Sequence, residues 1–399
     1  MYSKRQKSSV KWHRVARVAV GSVFSCLILL YTMPAWHQDT DLTFKPSVGS
    51  EIPQRAQAGI ASRKALHDAI PLTSATPDPD PGACSAEDRA YQAAIVADTA
   101  LWRNKNWGFY YGGFWGPWFE EQFFKFWKNY GDGCPVNGRF YIPIYYNLAY
   151  RYLPVEERQL IGDYMATLDM SKQYFTILLL SKGMRILKYD PPAELDLMIF
   201  AAGGITSANK TTNVPLPLLI KEQHVRTPRL PKSVFASFAG TLETHTVRER
   251  LVELYGDLED WEFYAPQLDN EIENWEVLME QSVFCLAPRG FGTTSFRMYE
   301  ALQLGCIPVY IWDEEIMLPF TEFLDWNSFS IIIEAKNIDQ LGQRLKEADV
   351  ATLLAGVEQV RHMMTYKYTM KYIVAYLESG MPGFPAEHFK TMPPGVVTF

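Results

Sequence analysis

Between residues 231 and 348, short apolar runs alternate with stretches whose apolar positions recur every three to four residues. Ser233–Phe238, Trp261–Tyr264, Ser282–Ala287, Cys306–Trp312 and Phe329–Glu334 read as strands, because a strand buried on both faces is apolar throughout. Val247–Tyr255, Glu271–Gln281, Phe296–Leu304 and Ile338–Glu347 carry the helical period. This alternation predicts an α/β unit with a parallel sheet covered by helices on both faces. The preceding stretch, residues 87–230, is richer in aromatic residues, with strands expected at Tyr174–Leu180 and Leu195–Ala201 and a further one leaving it at Val214–Ile220. No internal repeat links the two stretches, so they read as two separate domains. Residues 349–399 form a C-terminal extension. Within it Ala351–Ser379 is expected to be one long helix, with Tyr366, Tyr368, Tyr372 and Tyr376 packing into a core, back onto the first domain or against another chain.

Ahead of the domains the pattern changes. Residues 1–17 carry six basic side chains (Lys4, Arg5, Lys7, Lys11, Arg14, Arg17) and no acid, and Val18–Trp36 then runs for 19 residues without Asp, Glu, Lys or Arg. That length approaches the roughly 20 residues of a membrane-spanning helix. Bases on the near flank place residues 1–17 in the cytosol and the rest across the membrane. The expectation is a signal anchor, since no small-residue cleavage pattern surrounds Tyr31–Ala35. Residues 37–86 hold six prolines and one aromatic residue, Phe44, and read as a flexible stem.

Composition narrows the partners. The 399 residues are 48% hydrophobic, enough for a large core, and the net charge is −7. Without the basic leader the remainder stands at −13, so a polyanion such as nucleic acid is not an expected partner. Of five cysteines, Cys26 lies in the expected span. Cys84, Cys134, Cys285 and Cys306 fall beyond it, where an oxidising lumen suggests two disulfides. Three pairings are open, and proximity in sequence favours Cys84–Cys134 with Cys285–Cys306. No Cys-x-x-Cys pair occurs and the histidines are scattered, which argues against zinc. Asn209-Lys210-Thr211 is a glycosylation sequon.

Candidate chemistry lies in the turn leaving the strand Ser282–Ala287: Pro288-Arg-Gly-Phe-Gly-Thr-Thr-Ser-Phe-Arg297. Ligands of open parallel sheets bind beyond the carboxyl ends of the strands. Gly290 and Gly292 allow backbone to approach a ligand, and Thr294 or Ser295 suits the start of a helix whose positive end faces an anion. Arg289 and Arg297 add cationic forks suited to phosphate oxygens. One turn on, Glu300 shares a helix face with Arg297 and has acceptors for the vicinal hydroxyls of a ribose. The same spacing also fits an ordinary Arg–Glu helix pair on a solvated face.

The wider segment carries Ser282-Val-Phe-Cys-Leu-Ala-Pro-Arg-Gly290, Ser295-Phe-Arg-Met-Tyr-Glu-Ala-Leu302, Gly305-Cys-Ile-Pro-Val309, Leu318-Pro-Phe320 and Trp326-Asn-Ser-Phe-Ser330 in order. Together these closely resemble the exostosin-like family of inverting, sugar-nucleotide-dependent glycosyltransferases, specifically over about 233–345 and diffusely over 87–232. The resemblance implies a GT-B architecture, two Rossmann-like domains facing across a cleft, in a type II Golgi membrane protein. It implies pairing of Cys285 with Cys306. It gives Glu300, Arg289, Arg297 and Arg248 donor-site roles, with Arg248 on the phosphate side. Met198-Ile-Phe-Ala-Ala-Gly-Gly204 departs from the aromatic and His/Asp-rich stretch of plant members, so the acceptor is not carried over.

Direct displacement at an anomeric carbon needs a base for the acceptor hydroxyl and positive groups for the departing diphosphate. Asp313 and Glu314, with Glu315 beside them, follow the strand ending at Trp312 and are candidates for the base. The expected partners are a UDP-sugar donor, a glycan or glycoprotein acceptor, the membrane through the anchor, and a further subunit in a homo- or hetero-oligomer. No divalent ion or cofactor is expected to be essential. The alternative is a catalytically inactive, anchored glycan- or nucleotide-sugar-binding protein of the same fold. A glycoside hydrolase would leave the basic turn unexplained, and a dinucleotide oxidoreductase would need a Gly-x-Gly-x-x-Gly segment that does not occur.

Overall fold

The computed structural model describes residues 84–379, apart from residues 104–113, 115, 131–132, 188–189, 205–210, 269, 271 and 273. The expected basic tail, signal anchor and most of the stem lie outside these residues, as does Asn209. Among the described residues no helix is long and apolar enough to cross a membrane.

The chain folds as two wholly parallel sheets, with α-helices between the first two strands of the first and between the first four strands of the second in chain order. The first runs β1 (Arg139–Tyr141), β2 (Gln173–Leu178), β3 (Asp196–Ala201) and β4 (Thr211–Pro215), in that spatial order. Alternate residues serve its two faces. Tyr174, Leu178, Leu197 and Ile199 pack in one cluster, while Phe175, Ile177, Met198 and Phe200 pack in another. The second sheet holds β5 (Val234–Ala239), β6 (Trp261–Tyr264), β7 (Ser282–Pro288), β8 (Ile307–Trp312) and β9 (Ile331–Glu334) in the order β6-β5-β7-β8-β9. Its centre is almost entirely apolar, with Phe284, Leu286, Ile307, Val309 and Ile311 at most 1% exposed.

Local chemistry explains the helix ends. Helix α1 (Ala86–Asp98) starts where the Ser85 hydroxyl accepts the Asp88 N–H at 3.0 Å, with Glu87 and Asp88 at its positive end. Helix α2 (Phe119–Tyr130) buries Phe119, Phe123, Phe126 and Trp127. The helices α3 (Tyr146–Tyr152) and α4 (Val155–Met165) precede β2. Between the strands of the second sheet lie α5 (Thr246–Tyr255), α6 (Trp275–Gln281), α7 (Phe296–Gln303) and α8 (Leu341–Glu347), which follows β9.

Most expected elements appear within one or two residues of their sequence-based limits. Three differ. The strand expected over Val214–Ile220 occupies Thr211–Pro215 instead, because Pro215 and Pro217 deny the ladder its donors and the chain turns away. The helix expected from Glu271 is regular only from Trp275. The single helix expected over Ala351–Ser379 is two, α9 (Val350–Val360) and α10 (Tyr366–Ser379). At that break the Thr365 hydroxyl accepts the Tyr368 N–H at 3.2 Å, and Gln303 Nε2 reaches the Met364 carbonyl at 2.6 Å. A side-chain cap thus restarts the helix without altering its apolar period.

Two disulfides join Cys84 to Cys134 and Cys285 to Cys306, the pairing that sequence proximity favoured. The second ties β7 to the residue before β8 in the buried middle of the sheet. Helix α10 returns to the first sheet, where Tyr376 meets Phe200 edge-on at 5.7 Å and Asn137 Nδ2 donates to the Leu377 carbonyl at 3.0 Å.

Candidate donor-binding site

In the second sheet β6 lies on one side of β5 and β7, β8 and β9 on the other, so the strand order reverses between β5 and β7. Crevices at such a point are where open α/β sheets hold ligands. The turns leaving these two strands, residues 240–245 and 289–295, hold Arg289, Gly290 and Ser295, while Arg248 lies on the helix after the first turn and Arg297 and Glu300 on the helix after the second.

Arg289 is only 6% exposed, and its Nε and Nη1 make no hydrogen bond. Its Nη1 faces Glu314 Oε1 at 3.3 Å and Asp313 Oδ2 at 3.8 Å. A buried guanidinium with nitrogens left over after folding has capacity for an anion. Arg297, at the start of α7, turns toward β5. Its Nε donates to the Ala239 carbonyl, and its guanidinium lies 5.1 Å from the Phe238 ring centre. Gly240 makes this possible, since a Cβ there would lie 2.1 Å from Arg297 Nη2.

Glu300 follows on the same helix. Burial pushes its carboxyl up to about 7, against the pull of the Arg297 charge, while Glu276 raises it further and Lys221 lowers it. It makes no hydrogen bond or ion pair among the described residues. The solvated Arg–Glu pair that spacing alone allowed is therefore not what forms. The two side chains diverge, one to the β5 edge and one to a half-buried position without a partner.

Arg248, on α5, lies at the same pair of turns. It is 6% exposed, and its donors reach the carbonyls of Arg289 at 2.9 Å, Thr241 at 2.8 Å and Pro288 at 3.2 Å. It binds the two turns together. Gly290 admits it, because a Cβ there would lie 2.9 Å from Arg248 Nη2. Ser295 occupies the position before α7 with extended backbone, yet neither it nor Thr294 caps the helix: Ser295 makes no capping bond, and Thr294 Oγ1 lies 3.5 Å from the Tyr299 hydroxyl.

His245 escaped the sequence reading. It caps α5, its Nδ1 accepting the Val247 N–H at 3.3 Å and its Nε2 lying 3.5 Å from Asp313 Oδ2. Burial, then the Arg289 charge, pushes its imidazole below the usual value despite Asp313. The available signal was its place directly before a helical run. Asp313 thus faces both His245 and Arg289, and a cleft of about 450 Å³ opens beside it, lined by Val247, Arg250, Lys336 and Ile338 among others. Glu314 is more exposed and holds a left-handed backbone, φ 65°. No group of His, Cys, Asp and Glu suited to hold a metal ion occurs among the described residues.

The first sheet reaches the same turn. The Thr293 N–H donates to the Ser181 carbonyl, just past β2, at 3.2 Å. A Cβ at Gly292 would lie 2.2 Å from that oxygen. Gly203 and Gly204, the end of the stretch that departs from plant members, pack as closely: a Cβ would fall 2.2 Å from Ser181 O and 2.1 Å from Lys182 O respectively.

Residues 200–348 match the Exostosin GT47 domain. The chain is 45% identical over 84 residues to an exostosin-1 homolog of Caenorhabditis elegans, which covers 20% of this chain and 22% of that protein. It is 33% identical over 139 residues to a protein of Oryza sativa subsp. japonica named a probable glucuronosyltransferase, covering 32% of this chain and 31% of that one. The match therefore spans less than a third of either relative's length. Among solved structures, the crystal structure of TarM aligns with a TM-score of 0.37 at 11% identity, over 54% of this chain and 52% of that one. Residues 200–348, the segment that contains the whole basic turn, are thus similar to the exostosin-like glycosyltransferases.

Proposed function

We propose that this protein is an inverting glycosyltransferase that moves a sugar from a uridine diphosphate donor to a glycan or glycoprotein acceptor in the Golgi lumen, in a GT-B arrangement behind an N-terminal anchor. The observation that carries the reading is the set of groups at the β5/β7 crevice: a buried Arg289 whose Nε and Nη1 make no hydrogen bond among the described residues, and a Glu300 carboxyl with no hydrogen bond or ion pair among them. Arg289 and the turn amides would take the diphosphate, and Glu300 the ribose hydroxyls. Arg297 and Arg248 hold the crevice walls in place. As the glycosidic bond breaks, charge grows on the diphosphate oxygens, and fixed cations stabilise that charge more than they stabilise the intact donor. Asp313 faces both His245 and Arg289 while the more exposed Glu314 faces Arg289 alone, so Glu314 has one cation fewer to leave in turning toward an acceptor hydroxyl as base.

The test is nucleotide affinity. Arg289→Ala and Glu300→Ala should each weaken UDP binding by about 1–3 kcal/mol, the scale of hydrogen bonds to charged groups. Unchanged affinity in folded variants would remove the assignment. Turnover should survive chelator, and activity restored only by Mn²⁺ or Mg²⁺ would refute the metal-independent route.

A second reading is favoured by one observation: both nitrogens of His245 are occupied, and Arg289 already faces two carboxylates. A protein that binds nucleotide-sugar without turning it over would have this site. Binding of UDP-sugar with neither transfer nor slow hydrolysis would establish that alternative.

A further inference from the structure

Tyr310 sits in the middle of β8 with no exposed surface, at a position where an apolar side chain would pack as well. A phenol there loses its water and must be repaid with hydrogen bonds. Its hydroxyl donates to the Thr293 carbonyl at 3.1 Å and accepts the Met317 N–H at 3.2 Å. Thr293 belongs to the basic turn, and Met317 to the loop that carries Asp313 and Glu314. Both sides of Thr293 are thereby held, its carbonyl by Tyr310 and its N–H by Ser181 beyond the first sheet. The glycine contacts at residues 203 and 204 leave the Ser181 end little room to shift.

We propose that Tyr310 is a positioning residue for the donor turn. Its hydroxyl sets the distance between the turn backbone and the acidic loop on either side of Arg289, so that turn amides and guanidinium are already aimed where diphosphate charge develops. This rests on the reading that the turn holds the diphosphate. The effect belongs to the transition state rather than to initial binding, because a loosened turn can still close on a bound donor but cannot be set in advance.

The experiment compares Tyr310→Phe with Tyr366→Phe. Tyr366 also spends a buried phenol on a carbonyl, that of Ile220, but at the start of α10 and with no hydrogen bond to the basic turn or the acidic loop. In Tyr310→Phe, kcat for UDP-sugar hydrolysis or transfer should fall about tenfold with the donor KM changed by less than about threefold. Tyr366→Phe should lower the unfolding temperature and keep the wild-type kcat. Hydrogen exchange should quicken in segments 290–295 and 313–318 of Tyr310→Phe alone. Wild-type kcat in Tyr310→Phe, or an equal loss in Tyr366→Phe, would overturn the positioning role while leaving the donor reading intact. A wild-type protein that neither binds UDP nor turns over any UDP-sugar would overturn both.

Discussion

Glu300 gives the site a pH signature. Burial holds its carboxyl near 7, so around neutral pH it divides between an acid and a carboxylate. Only the carboxylate accepts from both vicinal hydroxyls of a ribose without spending a lone pair on its own proton. UDP affinity should therefore climb as pH rises through about 7, and in Glu300→Gln the slope should be shallower by the share of this one group, as isothermal titration from pH 6 to 8 would show. Glu120 poses the opposite problem in the first domain. It is 1% exposed and accepts the Leu179 N–H at 2.8 Å and the Asn147 N–H at 3.2 Å, yet burial pushes it up to about 8. An acid raised on folding binds its proton more tightly in the native state, so its contribution is present below about 4.5 and lost as pH rises toward about 8. The urea midpoint should fall across that window, and fall less in Glu120→Gln.

At the scale of elements, the crevice depends on glycines that admit a neighbour. Gly292→Ala would force a methyl into the Ser181 backbone, which has no rotamer to yield. It should cost about 1–3 kcal/mol by overpacking and quicken proteolysis at the turn. The strands and helices of the second sheet were legible because each apolar run is short and each helix keeps its period, so Trp261–Tyr264 falls where the sequence put it. The basic turn was legible for the same reason, standing where a strand hands over to a helix. What the sequence hid is the direction each side chain takes. Arg248 and Arg297 look alike in composition, yet one closes on three carbonyls and the other leans across Phe238. His245 and Tyr310 were hidden because their partners lie far along the chain, at Asp313 and Thr293. The break between α9 and α10 was hidden because a threonine cap leaves the periodicity intact.

At the scale of the molecule, the Cys285–Cys306 bridge pins two adjacent strands of the buried sheet that carries the site. Cys285→Ser should lower stability by about 2–4 kcal/mol, the usual range for such a bridge. Thermal unfolding of Cys285→Ser beside wild type would measure the difference, and a free thiol at Cys285 in the native protein would contradict the bridge. The returning helix α10 has another consequence. Tyr372 and Tyr376 belong to the same core cluster as Phe175 and Phe200, which the ribosome makes some two hundred residues earlier. The first sheet is thus completed by a segment translated after the whole of the second sheet. Until that segment arrives, the part of this face around Phe200 that α10 covers stays open beside α2, a period in which nascent chains need shelter from one another. A chain ending near residue 349 should accumulate as aggregate even though every strand of both sheets is present.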